Sequence, residues 1–460
     1  MGGERLERAL TEAERSLPLW ERRLAELIAI PSVSPDPEHA GDLQRAAEWL
    51  SDLALEEGLG AEQLRGEGAP LLLIEGGSGD HSALIYGHYD VQTPGPLSEW
   101  SSPPFQASER GGRLYGRGAS DDKGGLLMPL AALSAWKRAG GCPLRVKVLL
   151  EGEEEVGSRH LGGQLRRHGA RLAAEVALSS DGRMWSAWPP SLRLGSRGLL
   201  AFSLEVTTAA KNLHSGHYGG LATNALQVLI QLLAGLVDPL GRVRVPGFYD
   251  RVRPPEPDSI PFDEAQQAEI AGVPGWGGDP AFTPLQRLWW RPTLEVHSVG
   301  GSFDPVRLNT SVPSRATAQL SCRLVADQDP GEIAELLAAW VAQNSPALAT
   351  VRLETRGEGE WPYSVPSHHP AARAAKKVLG ELYGTEPLLV RSGGTVPAAS
   401  LIGRELGLPL IYFAFGEMDN ALHAPDEFLR LDSFRMGVLG YVRLLAELAS
   451  ALPGSGAEGG

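Results

Sequence analysis

Short apolar runs closed by glycine and charged residues recur through the first 180 positions of the chain. Ser82-Ala83-Leu84-Ile85-Tyr86, Val146-Lys147-Val148-Leu149-Leu150 and Val176-Ala177-Leu178 each read as a strand. Continuous apolar runs of this length, ended by turn signals, belong to strands buried on both faces. Between the first two, Leu126, Leu127, Leu130, Leu133 and Trp136 recur at helical spacing and predict a helix over 124–138. Helical periodicity also covers 15–60, broken at Ile30-Pro31-Ser32-Val33-Ser34-Pro35 by two prolines and resumed over 42–57. Strands alternating with helices predict an α/β fold with a mostly parallel sheet covered on both faces.

The alternation lapses after Arg193. A strand-like 199–206 leads through a stretch rich in Gly and His to a helix over 224–237, and then to a long irregular stretch, 238–290, loaded with Pro, Gly and Trp. Strand, helix and strand patterns over 316–324, 331–344 and 350–355 close what reads as a second, inserted α+β domain. From about 367 the first pattern returns: a helix over 370–383, a Gly-rich turn over 392–397, a strand over 410–415 and a helix over 432–451. Residues 453–460 are expected to fray.

Composition narrows the class. The 460 residues suffice for two or three domains, and 42 Lys+Arg stand against 56 Asp+Glu, a net charge of −14. That balance argues against nucleic acid and anionic membranes as partners, since both favour a basic face. Cys142 and Cys322 lie beside strand-like segments and are expected as buried inert thiols, not a disulfide scaffold. No run approaches the roughly 20 apolar residues of a membrane span. No apolar stretch accompanies the charged N-terminal residues Glu4, Arg5, Glu7 and Arg8, so a cytoplasmic location is expected.

Chemistry concentrates where the strand-like runs end. Gly87-His88-Tyr89-Asp90, Glu153-Glu154-Glu155 and Ser180-Asp181 come after the three apolar runs; Ser120-Asp121-Asp122-Lys123 precedes the helix at 124, and His423 comes after the strand-like 410–415. Ligands in open α/β sheets gather beyond the carboxyl ends of the strands. A mixed set of imidazole and carboxylate without thiolate suits Zn2+, Mn2+ or Co2+. Asp90, two positions beyond His88 on an extended strand, faces the same way; it can orient the imidazole or sit near the ligand cluster. The pair Asp121-Asp122 exceeds what capping a helix requires, and a carboxylate with two oxygens can bridge two ions. Glu151-Gly152-Glu153-Glu154-Glu155 packs like charges that divalent cations would compensate, leaving one Glu to ligate and its neighbour to act as general base. The pattern is that of a two-metal hydrolase.

Taken together, Gly87-His88-Tyr89-Asp90-Val91-Gln92, Gly116-Arg117-Gly118-Ala119-Ser120-Asp121-Asp122-Lys123-Gly124, Glu151-Gly152-Glu153-Glu154-Glu155-Val156-Gly157-Ser158, Leu213-His214-Ser215-Gly216, Arg391-Ser392-Gly393-Gly394-Thr395-Val396-Pro397 and the His423 segment resemble a known family. It is the metallopeptidase family of the zinc aminoacylases, carboxypeptidase G, acetylornithine deacetylase and the carnosine dipeptidases, and the likeness is nearest to the dipeptidase branch. The resemblance implies that His88, Asp121 and Asp181 hold one metal, and that Asp121, Glu155 and His423 hold the other. It makes Glu154 the general base, Asp90 the residue orienting His88, and the Asp121–Asp122 bond cis. It also implies an inserted lid and dimerisation domain over 193–362, dividing a catalytic domain of 1–192 and 363–460. In that lid His214 would stabilise the oxyanion, often across a dimer, and Arg323 would bind the substrate carboxylate, with Gly393, Gly394 and Thr395 of the catalytic domain as the substrate-binding backbone cradle beside it. The chain departs from the family at Pro425-Asp426-Glu427, where many relatives have Asn before the Glu.

The chain is therefore expected to be an enzyme with two divalent ions per subunit, Zn2+ first and Mn2+ or Co2+ as alternatives. A metal-bridging water would be the nucleophile, and the amide bond of a dipeptide or short peptide the target. The alternative is an N-acyl-amino-acid deacylase of the acetylornithine deacetylase or succinyl-diaminopimelate desuccinylase type. Asp181 favours the peptidase, because in the family Asp at this position accompanies peptidases and Glu more often deacylases. A homodimer through the lid is the expected assembly.

Overall fold

The computed structural model describes residues 2–185, 188–257, 260–301 and 310–453. The 453–460 tail therefore lies, beyond its first residue, outside the described residues. The chain divides into two compact units: Met1–Gly195 with Ser364–Val390 and Pro397–Gly460, and Ser196–Tyr363 with Arg391–Val396.

The first unit is built on a central sheet whose middle is parallel. Strand Ser82–His88 pairs in parallel with Arg145–Glu151 on one side and Val176–Ser179 on the other, and Leu410–Tyr412 continues the parallel run beside Val176–Ser179. Antiparallel strands flank this middle: Leu71–Gly76 beside Arg145–Glu151, then Gly60–Leu64, and Ser191–Ser196 on the far side. Every residue of Ser82–His88 is buried, as its uninterrupted apolar run requires of a strand covered on both faces. Helices Gly2–Ile28, Lys123–Arg138, Pro370–Tyr383 and Leu431–Ala451 pack on one another as one layer, while Leu161–Leu172 and Pro397–Leu406 pair separately.

Local chemistry sets the helix ends. Pro370 begins its helix at a position where the missing N–H costs nothing, and Gly384 ends it at φ 66, a left-handed turn that glycine adopts without a Cβ clash. The first helix corrects one expectation: it begins at Gly2, not near 15, and runs through Pro18. Ala9, Leu10, Ala13, Leu17, Trp20, Leu24 and Leu27 form its buried stripe, and their packing outweighs the interior proline. The strand expected over 410–415 is shorter, Leu410–Tyr412, because the chain leaves the sheet after Phe413 N donates to Ser179 O.

The second unit is an antiparallel sheet in the order Thr293–Gly300, Arg315–Leu324, Gly198–Thr207, Thr350–Thr355. Gly198–Thr207 buries alternate residues, among them Leu200, Phe202, Leu204 and Val206, against helices Ala225–Leu236 and Pro330–Asn344. Asn224 and Asp329 cap those two helices through side-chain oxygens. Two findings revise the sequence reading. The 238–290 stretch is not wholly irregular: it contains helices Glu264–Ala271 and Pro284–Trp290, the latter opened by a Thr283–Gln286 capping box. Strand Thr293–Gly300 had no signature because most of its residues are exposed on a sheet edge, which erases the apolar alternation. Cys142 and Cys322 are free and buried, and burial pushes the Cys142 thiol up to about 12.

Candidate metal centre

In the first unit the carboxyl ends of the parallel strands deliver acids and imidazoles to one place. His88 closes Ser82–His88, and Asp181 lies two residues beyond Val176–Ser179. Asp121 and Asp122 stand at the entrance to helix Lys123–Arg138, joined by a cis peptide bond. Glu154 and Glu155 occupy a single helical turn, Glu154–Val156, just beyond Arg145–Glu151. His423 lies in the loop between Leu410–Tyr412 and Phe428–Arg430.

These residues form two sets of donors that share Asp121. Donor atoms of His88, Asp121 and Asp181 lie within 4.8 Å of one another, as do those of Asp121, Glu155 and His423. The two oxygens of Asp121 face different imidazoles: Oδ1 is 3.1 Å from His88 Nε2 and Oδ2 is 3.1 Å from His423 Nε2. His423 Nε2 is also 3.1 Å from Glu155 Oε2.

Asp90 has two roles in the geometry. Its backbone O stands 3.1 Å and its Oδ1 3.3 Å from His88 Nδ1, the ring nitrogen turned away from Asp121, and together they fix how the imidazole sits. Its carboxylate also accepts from the backbone N–H groups of Glu154 and Glu155, at 3.3 and 3.1 Å, and so anchors the acidic turn. Ser34 Oγ donates to Asp90 Oδ2 at 2.5 Å. The sequence reading missed Ser34, since a serine in a proline-broken segment carries no spacing signal. Asp122, noticed in the sequence only as the second acid of its pair, is fully buried and accepts from Ser180 Oγ at 3.2 Å and from the His88 N–H at 3.3 Å.

The electrostatics test whether divalent cations suit these residues. Burial, and after it the charge of Asp121, pushes the Asp181 carboxyl up to about 6. Burial and the Asp181, Asp121 and Glu155 charges, only partly offset by His88, push Glu154 up to about 9. Hydrogen bonds to Asp121 and Glu155 push the His423 imidazole up to about 10. The cluster thus retains protons against the ordinary tendency of its groups, because too much negative charge is buried together. Glu155 Oε1 is buried with no hydrogen-bond partner, a costly state for a carboxylate oxygen. Divalent cations would compensate the charge and satisfy that oxygen, and imidazole plus carboxylate is the donor set that Zn2+, Mn2+ and Co2+ accept.

The remaining candidates belong to the second unit. Arg323 Nη1 donates to Thr395 Oγ1 at 2.9 Å, and Arg197 Nε donates to Gly393 O at 2.9 Å. Burial and the nearby Arg323 charge lower the Arg197 guanidinium to about 10. A side chain at Gly393 would run into Leu288, whose Cδ1 lies 2.6 Å from where a Cβ would stand. Gly394 N donates to Ser392 Oγ at 3.1 Å. Arg391 lies over the Trp290 ring at 4.0 Å and 3.4 Å from Glu256 Oε2, so the Trp- and Pro-rich stretch backs the 391–396 segment. His214 is exposed on the short strand Leu213–His214, where its Nδ1 accepts from Gly216 N at 3.0 Å.

The profile of "Peptidase family M20/M25/M40" matches residues 84–447. The Cys-Gly metallodipeptidase dug1 of Schizosaccharomyces pombe is 30% identical over 94% of this chain and 96% of its own length. The Beta-Ala-His dipeptidase of Homo sapiens is 29% identical over 93% of this chain and 89% of its own. Among solved structures, the M20 family metallo-carboxypeptidase Sso-CP2 from Sulfolobus solfataricus superposes with a TM-score of 0.78 at 28% identity, covering 94% of this chain and 99% of that one.

Proposed function

Because the chain belongs to peptidase family M20/M25/M40, we propose that it is a two-metal dipeptidase, hydrolysing the single amide bond of a dipeptide or the terminal one of a short peptide. The observation that carries this reading is the pair of donor sets sharing Asp121. His88, Asp121 and Asp181 would hold one ion, and Asp121, Glu155 and His423 the other. Two such ions would supply an activated water and polarise the scissile carbonyl.

The chain's own groups carry the rest. Glu154 takes the proton of the attacking water and hands it to the leaving amine, so that one carboxyl serves as base and then as acid. Its backbone is fixed by Asp90, which also orients His88, so a single acid ties the base to a metal ligand. In the second unit, Arg323, supported by Thr395, would hold the substrate carboxylate, with the backbone of Gly393 and Gly394 beside it. His214 would donate to the developing oxyanion. The names of the relatives, a Cys-Gly metallodipeptidase and a Beta-Ala-His dipeptidase, support a dipeptide as substrate.

The assembly we propose is a homodimer through the second unit. Thr293–Gly300 ends the sheet order, and its Val296 and Val299 are 45% and 49% exposed, while Ile230 on helix Ala225–Leu236 is 53% exposed. Among the described residues this strand lies at the sheet edge with exposed apolar side chains, which suits pairing with a second copy, and Ile230 adds a further exposed apolar residue to the same unit. Light scattering should give twice the chain mass, and a monomer retaining full activity at high dilution would overturn this.

The function is tested on protein stripped with chelator and reloaded with Zn2+, Mn2+ or Co2+, given Ala-Leu, N-acetyl-Ala-Leu and N-acetyl-leucine in parallel. Cleavage of Ala-Leu alone is expected. Cleavage of N-acetyl-leucine but not Ala-Leu would move the assignment to the deacylases.

A further inference from the structure

Two metal-site loops distant in sequence meet at one buried carboxylate. Glu427 is 0% exposed, and its two oxygens are fully engaged by the loop that carries Asp121. Oε2 accepts from Arg117 Nη1 at 2.6 Å and from Gly118 N at 3.1 Å; Oε1 accepts from Ser120 N at 3.0 Å and from Asp121 N at 3.1 Å. Four donors on one carboxylate leave the 117–121 loop little freedom to shift.

The same residue fixes the other loop. Gly116 N donates to Glu427 O at 2.9 Å, and Phe428 pairs with Tyr115 where Phe428–Arg430 meets Arg113–Tyr115. Asn420 adds a second tie, its Oδ1 accepting from Ser120 Oγ at 3.2 Å. Between Asn420 and Glu427 the backbone is unusual: Ala421, His423 and Asp426 have φ of 54, 60 and 58, the left-handed region that residues with a Cβ avoid. Such a loop persists only where its surroundings hold it: the half-exposed His423 side chain is held at Nε2 by Asp121 and Glu155, and the Glu427 end of the loop by the contacts above.

We propose that Glu427 is a positioning residue for the metal site: it clamps the Asp121 loop to the His423 loop and thereby fixes the bite between two ligands of one ion. Glu427 does not touch substrate; it acts through the backbone of Asp121 and through the anchored end of the His423 loop. An uncharged amide in its place cannot repeat the arrangement, because the NH2 of Gln would meet N–H donors where an acceptor is needed. The family departure at Asp426 leaves this clamp intact, since Asp426 turns outward to accept from Ser101 N and Oγ at 2.8 and 2.6 Å.

The clamp rests on the reading of Asp121 and His423 as metal ligands, and the experiment separates the two. Metal-free wild type, Glu427→Gln, Glu427→Asp and His423→Ala are each titrated with Co2+, monitoring its visible absorption and the affinity of each ion by competition with a chromophoric chelator. Loss of a contact that orients a ligand weakens metal binding by about 10- to 100-fold. Glu427→Gln should weaken the second ion to that degree and alter its Co2+ spectrum, in metal-free protein whose far-ultraviolet circular dichroism matches wild type even though loss of the buried Arg117 partner lowers its thermal midpoint. Glu427→Asp, which keeps the charge, should recover part of the affinity. Two ions bound by Glu427→Gln with wild-type affinity and spectrum would overturn the clamp. If His423→Ala also bound two ions as wild type does, the ligand reading itself would fall. Should Glu427→Gln not fold, Glu427→Asp is judged by the same titration: wild-type affinity with an unchanged spectrum is the only result that lets the charge alone, without its placement, suffice, and it too would overturn the proposal.

Discussion

Asp121 and His423 stand 302 positions apart in the chain, yet Asp121 Oδ2 lies 3.1 Å from His423 Nε2. The other oxygen of the same carboxylate lies 3.1 Å from His88 Nε2. One acid between two imidazoles, each with further carboxylates beside it, is the arrangement from which the functional proposal grows, and four measurements test its parts and the fold around it.

Glu154→Gln keeps the size of the side chain and removes its ability to accept a proton. If Glu154 is the base, kcat should fall by about 10²- to 10⁴-fold. Elemental analysis should still find two ions per chain, since Glu154 is in neither donor set. A kcat within a few-fold of wild type would remove Glu154 from the mechanism.

Chelation should abolish hydrolysis, and stoichiometric Zn2+, Mn2+ or Co2+ should restore it. The metal-free protein should also unfold at lower temperature, because an ion present at 100 times its Kd contributes about 2.7 kcal/mol to the native state. Scanning calorimetry with and without metal reads this directly. An identical midpoint in both forms would contradict a metal site built on buried, mutually repelling acids.

Arg323→Met tests recognition of the substrate carboxylate. A hydrogen bond to a charged group contributes about 1.5–3 kcal/mol, so KM for Ala-Leu should rise roughly 10- to 100-fold. The same substitution should leave Ala-Leu amide nearly unaffected, because that substrate has no carboxylate to lose. Equal losses for both would place Arg323 outside the recognition of that group.

Away from the metal centre, Glu57 predicts a pH-dependent part of the stability. Burial raises its carboxyl, but hydrogen bonds from Ser134 and Arg23 and the charges of Arg23 and Arg138 outweigh this, and it titrates below the usual 4.5. Arg23 Nη2 lies 2.7 Å from Glu57 Oε1 and Arg138 Nη2 2.5 Å from Oε2. A carboxyl lowered on folding stabilises the native state above its unfolded pKa and ceases to do so as pH falls through the folded value. Glu57→Gln should therefore cost about 1.5–3 kcal/mol at pH 7 and progressively less below about pH 4. Urea unfolding at pH 7, 5 and 3 measures the gap, and a gap that stays constant would show the contribution not to be ionic.

The elements legible in the sequence were those with one dominant signal. Ser82–His88, Arg145–Glu151 and Val176–Ser179 are buried on both faces, so their apolar runs were continuous. Lys123–Arg138 showed its periodicity in Leu126, Leu127, Leu130, Leu133 and Trp136. Thr293–Gly300 escaped because an exposed edge strand needs no apolar face. The start at Gly2 escaped because small and polar residues interrupt its buried stripe. In the candidate site, residues in dense motifs stood out, Asp122 beside Asp121 among them, while Ser34 did not and Glu427 entered only beside the departure at Asp426, for each draws its importance from partners far along the chain.

By itself the amino-acid sequence determined what is local or compositional: an α/β chain with a second unit interrupting the first, acids and histidines at strand ends, and a donor chemistry without thiolate. Residue type and spacing suffice for these because hydrophobic periodicity and ligand identity are properties of single segments. The resemblance of the motifs implied which donors meet, but only the tertiary structure decided how they meet. That Asp121 turns one oxygen to His88 and the other to His423, that Asp90 ties the acidic turn to His88, and that Glu427 joins two loops about 300 positions apart all depend on how the sheet brings its strand ends together. Contacts between distant segments are set by packing of the whole core, and no local pattern of residues encodes them.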